Sequence, residues 1–326
     1  MEFLFASIGL VILLLAGDLL VRGAVNSALR LGIPALIVSL TIVAFGTSAP
    51  ELLISIKAIK DNAPGLALGN VVGSNTANIL LVLGVPALMA GLATSKCDSR
   101  KSYVTMLGVT VVFIVGAFLG PITWVHGAVF LGILAVILGD QAREALAHRR
   151  EVRALEASER VEIQEEELEG VDPEMRWWKI SLFLVLGLIG LPLGADILVD
   201  SSLVIAKRYG VSDAVIGLTL VAVGTSLPEL ATTVMAALRK QADVALGNVI
   251  GSNMFNLLAI IGIASLFGTI PVERGFLVFD LWVMLGAAVI LAPFVFSKTL
   301  NMTRFWGFVL TALYIGYVYW LVVSGG

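Results

Sequence analysis

Long apolar stretches alternate with short polar segments along almost the whole chain. Each stretch is long enough to cross the hydrocarbon core of a bilayer as a helix, which takes about 20 residues. The first stretch has neither a basic segment before it nor a small-residue cleavage site after it, so we expect a retained span and not a removed signal peptide. We interpret Gly120-Pro121 as a turn, because one helix over 102–139 would be too long for a single crossing. The pattern predicts ten spans, at residues 3–21, 34–58, 65–92, 102–119, 122–139, 180–199, 212–238, 244–268, 275–297 and 303–322.

The composition supports an all-α membrane protein. Of the 326 residues, 58% are apolar and 14% are charged, and the mean hydropathy is +0.98, whereas soluble domains hold about 45–50% apolar and about 25% charged residues. With one cysteine, Cys97, and two histidines, His126 and His148, the chain can build neither an internal disulfide framework nor a Cys/His zinc cluster. A net charge of −3 gives no basic excess for binding nucleic acid. We therefore expect a lipid bilayer as the environment, and the sequence identifies no protein partner.

The two halves of the chain repeat each other at a fixed offset of 178 residues. The segment Gly46–Glu51 recurs as Gly224–Glu229, and Gly69–Asn78 recurs as Gly247–Asn256, with most positions identical. Each half holds five predicted spans, an odd number, so the second half enters the membrane from the opposite side. Inverted repeats of this kind are common in secondary transporters. We predict a first five-helix repeat at 1–139 with its motif at about 39–84, a charged loop at 140–179, and a second five-helix repeat at 180–326 with its motif at about 217–262.

Basic residues are distributed unevenly between the two sides of the predicted membrane. If the N-terminus lies outside, sixteen Lys and Arg residues fall in or beside the inner loops and five in or beside the outer loops. Because basic loops remain in the cytoplasm, we predict an inner-membrane protein with both termini outside and the 140–179 loop inside. That loop holds 12 acidic and 7 basic residues, and its run 141–169 favours a helix without a wide apolar face. We interpret the run as a solvated extension or linker.

One glutamate lies deep in a predicted span of each half. Glu51 and Glu229 occupy the same position of the repeat. A carboxylate at this depth costs at least about 3 kcal/mol unless another group compensates its charge. No lysine or arginine lies in the interior of any predicted span. A bound cation is therefore the simplest compensating charge.

Oxygen-bearing groups surround each glutamate in the predicted helices. Thr47 and Glu51 lie four residues apart on one face, as do Ser74 and Asn78 on the next span. Pro50 lacks an N–H and crowds the carbonyl four residues back, so we expect a kink that exposes backbone oxygens. The same features recur 178 residues later. An oxygen-only set suits hard cations such as calcium, and two glutamates balance the charge of one calcium ion or two sodium ions.

These motifs resemble the two α-repeats of the cation/calcium exchanger superfamily. The resemblance rests on Gly46–Glu51 with Gly69–Asn75, on their copies Gly224–Glu229 and Gly247–Asn253, and on the ten-span layout. It implies an antiporter similar to the prokaryotic sodium/calcium exchangers, not an enzyme, that works by alternating access with the first and sixth helices as sliding gates. Calcium and sodium would be transported ions, and no cofactor is implied. The implied ligands are Thr47, Ser48, Glu51, Ser74, Asn78, Thr225, Ser226, Glu229, Ser252 and Asn256, with the backbone carbonyls of Ala44 and Ala222.

Two positions in the motifs bear on which ion is exchanged for calcium. Potassium-dependent members of the superfamily and some prokaryotic relatives carry aspartate where this chain has Asn256, so potassium co-transport is not expected. Calcium/proton members usually carry an acidic residue soon after the Gly-Asn of the motif, where Gly73–Asn75 stands. Sodium is therefore favoured, with a calcium/proton antiporter as the alternative.

Two other classes of protein remain open. An intramembrane hydrolase could use paired carboxylates, but it gives no reason for a hydroxyl-rich motif around each acid. A channel would need a continuous pore instead of alternating halves.

Polar residues outside the implied ligand set are interpreted as structural. Small and polar residues within spans often serve helix packing. We predict packing for Ser55, Thr233, Asn75 and Asn253, a cap or interface contact for Asp18 and Asp196, and an interfacial position for Asp280.

Overall fold

The computed structural model describes residues 2–157, 172, 175–208 and 222–324, and this part of the chain is almost entirely helical. It contains no extended strand, only two isolated β-bridges, Leu92 with Met302 and Ile122 with Ile270. We number the helical elements in chain order and give α2 and α7 two segments each. They are α1 (Glu2–Leu31), α2 (Ala35–Thr47 and Ala49–Lys60), α3 (Pro64–Ala90), α4 (Arg100–Phe118), α5 (Trp124–Ala157), α6 (Trp177–Arg208), α7 (Ala222–Thr225 and Leu227–Leu238), α8 (Ala242–Ala264), α9 (Phe276–Phe296) and α10 (Arg304–Ser324).

The described helices confirm the all-α membrane fold. Eight of them are long and apolar enough to cross a bilayer, and the bent α2 makes a ninth if its two segments count as one span. The longer segment of α7 is a shorter apolar helix. Residues 209–221, which include the start of the predicted second motif, lie outside the described residues. A tenth span therefore stays a prediction.

The helix ends agree with the apolar pattern at some places and extend beyond it at others. The turn predicted at Gly120-Pro121 is confirmed, because α4 ends at Phe118 and α5 begins at Trp124. In contrast, α1 continues to Leu31 and α5 to Ala157, well past the predicted span ends. Apolar length measures the membrane crossing, whereas a helix continues for as long as its residues favour one. The rest of the predicted linker, residues 158–171, lies outside the described residues.

Burial separates central helices from peripheral ones. All of the spanning stretch of α8 and 78% of that of α3 are buried within the protein, against 17% for α5 and α10. Since α3 and α8 carry matching motif segments, the repeated polar residues lie at the centre of the molecule. The large apolar residues exposed on the peripheral helices are where lipid tails would contact the protein.

Helices α1 and α6 pack closely against each other along their length. A Cβ atom added to Gly194 would lie 2.7 Å from the backbone nitrogen of Leu13, and one added to Gly187 would lie 2.7 Å from the Cβ of Leu20. Small residues allow such close approach between membrane helices.

Asp18 of α1 forms an ion pair with Arg239 at the end of α7, so the predicted interface contact of Asp18 is confirmed. Its repeat counterpart, Asp196, is exposed.

Candidate ion-binding site

Breaks in α2 and α7 place the two glutamates. Helix α2 is interrupted at Ser48 (φ −85°, ψ 4°), and its two segments are bent by 41°. Helix α7 is interrupted at the equivalent residue, Ser226 (φ −89°, ψ 7°). In each helix a proline occupies the first turn of the second segment, where its missing N–H removes no intrahelical bond. The breaks predicted from Pro50 and Pro228 are confirmed.

Both glutamates lie near the start of the segment that follows the break. Glu51 and Glu229 lie in the first turn of their segments, where the helix dipole favours a negative charge. Each side chain is only 1% exposed. Among the described residues, no ion pair involves either glutamate. The protein therefore encloses two carboxylates without a basic partner in the described part of the chain.

Hydrogen bonds between the two halves bring the predicted ligands together. Ser48 Oγ donates to Glu229 Oε1 at 3.0 Å, which joins the break in α2 to the carboxylate on α7. Thr47 Oγ1 donates to Asn248 Oδ1 at 3.3 Å and so connects α2 to α8. Residues 181 and 201 positions apart in sequence are thus in direct contact.

One asparagine on the neighbouring central helix holds each glutamate-bearing segment. Asn70 Nδ2 donates to the Glu51 carbonyl at 3.3 Å and to Ser55 Oγ at 3.2 Å. Asn248 Nδ2 makes the same pair of bonds in the second copy, to the Glu229 carbonyl at 3.4 Å and to Thr233 Oγ1 at 3.1 Å. Ser55 and Thr233, predicted as packing positions, therefore also accept hydrogen bonds. The sequence could not identify these partners.

Six oxygen atoms of the predicted ligand residues are buried and, within the described part of the chain, without a hydrogen-bond partner. Ten such buried polar atoms occur in the described residues, so the predicted ligands account for most of them. A buried polar atom without a partner carries its full desolvation penalty. The six atoms are Glu51 Oε2, Glu229 Oε2, Asn78 Oδ1, Asn256 Oδ1, Ser226 Oγ and Ser252 Oγ. All belong to the ligand set implied by the sequence.

The asparagines Asn78 and Asn256 each begin a π-helical turn, Asn78–Val82 in α3 and Asn256–Ile260 in α8. In the first turn the Leu83 N–H donates to the carbonyl five residues back, at Asn78, over 3.2 Å. Turns of this type are rare and occur often at functional sites. These turns could not be predicted from the sequence, because no residue type marks a π-turn in the way that proline marks a break.

The remaining predicted ligands have different surroundings. The Ala44 carbonyl accepts the Ser48 N–H at 3.1 Å, and the Thr47 hydroxyl lies 3.3 Å both from this carbonyl and from Asn248 Oδ1, which share its single proton. Ser74 is buried on α3, and Thr225 is half-buried before the break in α7. Ala222 is the first described residue of α7.

The donor set is typical of a particular class of cation. No group of three or more His, Cys, Asp or Glu residues that could hold a metal ion occurs within the described ranges. Two carboxylates with amide and hydroxyl oxygens suit sodium or calcium, whereas transition metals prefer imidazole or thiolate ligands.

Comparison with known proteins identifies the family. The profile of the family described as sodium/calcium exchanger protein matches residues 1–140 and 179–323. The chain belongs to the sodium/calcium exchanger family. The stretch between the two matched segments corresponds to the charged loop. The protein is therefore a membrane transporter of the cation/calcium antiporter type and not an enzyme, and the ions are its substrates, not cofactors.

Relatives and solved structures are similar to this protein over nearly its whole length. The chain is 35% identical over 329 residues to the putative antiporter CaxA of Alkalimonas amylolytica, with 98% of each chain covered. It is 33% identical to the sodium/calcium exchanger MaX1 of Methanosarcina acetivorans, with 97% of each covered. A structure of the sodium-calcium exchanger NCX_Mj, soaked with 2.5 mM Na⁺ and 1 mM Sr²⁺, matches with a TM-score of 0.78 and 30% identity over 97% of both chains.

Proposed function

We propose that this antiporter exchanges sodium for calcium by alternating access, and that both ions use one central site. The observation that supports the proposal most directly is the set of six buried oxygen atoms that lack a partner in the described part of the chain, two of which belong to carboxylates. The proposed ligands are the side chains of Thr47, Ser48, Glu51, Ser74, Asn78, Thr225, Ser226, Glu229, Ser252 and Asn256, with the carbonyls of Ala44 and Ala222.

Charge balance explains how the two ions would compete. Glu51 and Glu229 contribute −2 to a site in which the neutral oxygens add no charge. One calcium ion or two sodium ions restore neutrality, so either load offsets the cost of burying the two carboxylates. An unloaded site would leave that cost uncompensated, which disfavours crossing the membrane without ions.

Sodium is the counter-ion we propose. The position after the Gly-Asn of the first motif carries Gly73–Asn75 instead of an acidic residue, and Asn256 stands where potassium-dependent members carry aspartate. The names of MaX1 and NCX_Mj, both sodium/calcium exchangers, support the same choice.

The distribution of Lys and Arg supports an inner-membrane orientation with both termini outside and the charged loop in the cytoplasm.

The test is uptake of radiolabelled calcium by proteoliposomes loaded with sodium, with potassium or with no exchangeable cation, at fixed pH. We expect saturable uptake that requires internal sodium, and saturation together with countertransport distinguishes an antiporter from a channel. Uptake that ignores the sodium gradient but follows an imposed pH gradient would show that the counter-ion is a proton.

Asn256→Asp tests the interpretation of the counter-ion at one residue. The substitution adds a carboxylate to the site, and we expect exchange to become dependent on potassium or protons because the extra charge needs its own neutralising cation. The same uptake assay, repeated with potassium and at several pH values, measures this. An unchanged ion dependence would contradict the role given to Asn256.

A further inference from the structure

Two asparagines outside the proposed ligand set lie where the central helices approach each other. Asn75 of α3 and Asn253 of α8 are equivalent positions of the repeat, and they are 2% and 3% exposed. The sequence favoured a packing role for both. In the structure their side chains make different hydrogen bonds.

The side-chain amide of Asn253 has a defined orientation. Its Nδ2 donates to the backbone carbonyl of Asn75 at 3.4 Å. A carbonyl oxygen can only accept, so the nitrogen end of this amide must face Asn75. The oxygen end, Oδ1, therefore faces the other way, toward Asn78.

This orientation determines that of Asn78. Asn78 Nδ2 donates to Asn253 Oδ1 at 3.0 Å. Asn78 Oδ1 consequently faces away from Asn253 and is one of the six buried oxygens of the predicted ligand residues. Only the oxygen end of an amide can bind a cation, and a flipped Asn78 would present an NH₂ group instead. The bond to Asn253 thus selects the orientation that can bind an ion.

Asn75, in the first copy, makes no corresponding bond to Asn256 in the described part of the chain. Asn75 Nδ2 donates to the Val71 carbonyl of its own helix at 2.7 Å. The side-chain amide of Asn75 therefore donates within α3, whereas that of Asn253, on α8, donates to a residue of α3. Because Asn75 has the same residue type, burial and repeat position, it is a matched control for Asn253.

We propose that Asn253 is a positioning residue that holds Asn78 with its side-chain oxygen directed at the transported cation. The inference rests on the proposed function, since it assigns a role within the same site. Asn253 acts through Asn78 and is not itself a ligand. Its loss lets Asn78 adopt both amide orientations, which lowers the affinity for calcium without removing a ligand.

The test compares Asn253→Leu with Asn75→Leu, two substitutions of similar volume that remove the amide. Calcium affinity is measured by calcium-dependent thermal stabilisation of the purified proteins in detergent, and KM and Vmax by sodium-driven uptake. We expect Asn253→Leu to weaken calcium binding and raise KM about tenfold, equivalent to about 1.4 kcal/mol, the scale of one hydrogen bond, with Vmax within about twofold of wild type. Asn75→Leu should stay within about twofold.

The outcomes separate the two proposals. Equal affinity of the Asn253→Leu and Asn75→Leu proteins would overturn the positioning role. Absence of sodium-driven uptake by the wild type would instead overturn the proposed function, while calcium binding would still test Asn253. If Asn253→Leu does not give folded protein, Asn253→Ser and Asn75→Ser carry the same comparison, since the serine side chain is too short to reach Asn78.

Discussion

The two copies of the motif are nearly identical in sequence, but they form different contacts across the molecule. Within each copy the bonds match: Asn70 holds the Glu51 segment as Asn248 holds the Glu229 segment. Between the copies they do not match. Ser48 donates to Glu229, whereas its counterpart Ser226 is buried and its hydroxyl has no partner in the described residues.

The packing around the equivalent glycines of α3 and α8 also differs between the copies. Gly251 on α8 is buried, and a Cβ atom there would meet the Leu40 carbonyl of α2 at 2.5 Å and the Cβ of Ala44 at 2.6 Å. Its counterpart Gly73 on α3 is only partly buried. The bonds shared by both copies hold each glutamate on its scaffold. The contacts that differ are those that two inverted halves would interchange during alternating access.

The largest effect should come from the feature that both copies share. Glu51→Gln and Glu229→Gln each remove one of the two buried carboxylates, so the site keeps a charge of −1 and no longer balances one calcium ion or two sodium ions. We expect each variant to abolish sodium-driven calcium uptake while eluting as a folded protein on size exclusion. Glu273→Gln, at an exposed position, is the control and should transport normally. Near-normal transport by either buried variant would exclude a shared two-carboxylate site.

The close contact of α2 with α8 should be the next most sensitive feature. Gly251→Ala places a methyl group within 2.6 Å of α2, and overpacking of this kind costs about 1–3 kcal/mol. We expect a lower unfolding temperature and exchange reduced several-fold. Gly108→Ala is the control, since an added Cβ there meets no described atom within 4 Å. Equal behaviour of the two variants would mean that this contact has no role in stability or transport.

The two helix-joining asparagines should differ in their contribution to stability. Asn248 is fully buried and takes part in three hydrogen bonds, whereas Asn70 is half-buried and donates two. We expect Asn248→Leu to cost about 2–3 kcal/mol and Asn70→Leu about 1 kcal/mol, because unsatisfied groups are penalised more when they are buried. Thermal unfolding in detergent measures both. The reverse order would contradict the asymmetry seen between the copies.

The smallest effect is expected at the two repeat-related aspartates. Asp18 pairs with Arg239, and both side chains are mostly buried, at 17% and 20% exposure. Its counterpart Asp196 is exposed. Asp18→Asn should therefore lower stability by about 1 kcal/mol and alter the exchange rate modestly, while Asp196→Asn should do neither. Identical unfolding curves for the two variants would show that the ion pair adds nothing.

Much of the architecture could be predicted from the sequence because its causes are local. Apolar length predicts spans, proline predicts the breaks at Ser48 and Ser226, and the 178-residue offset predicts which residues are equivalent. Carboxylates in spans without basic residues already indicated a cation site. The structure adds that oxygens of these residues are buried and that hydrogen bonds from Thr47 and Ser48 join the two copies of the motif.

What the sequence could not predict depends on the conformation of the whole molecule. Ser48 and Ser226 have the same neighbours in their motifs except for Ala49 against Leu227, and neither of these side chains indicates which serine donates to a glutamate of the other copy. The π-turns at Asn78 and Asn256 have no sequence signature. Asn253 was assigned to packing because its partner lies 175 residues away and is reached only in the folded protein.

A single site for calcium and sodium, built on both glutamates, requires the two ions to compete. The decisive experiment measures calcium binding to the purified protein in detergent at increasing sodium concentrations. We predict that sodium displaces calcium competitively, with a dependence steeper than one sodium ion per calcium, and that calcium binding is lost in both Glu51→Gln and Glu229→Gln. Calcium binding that is unaffected by sodium, or that persists in either variant, would contradict a shared site.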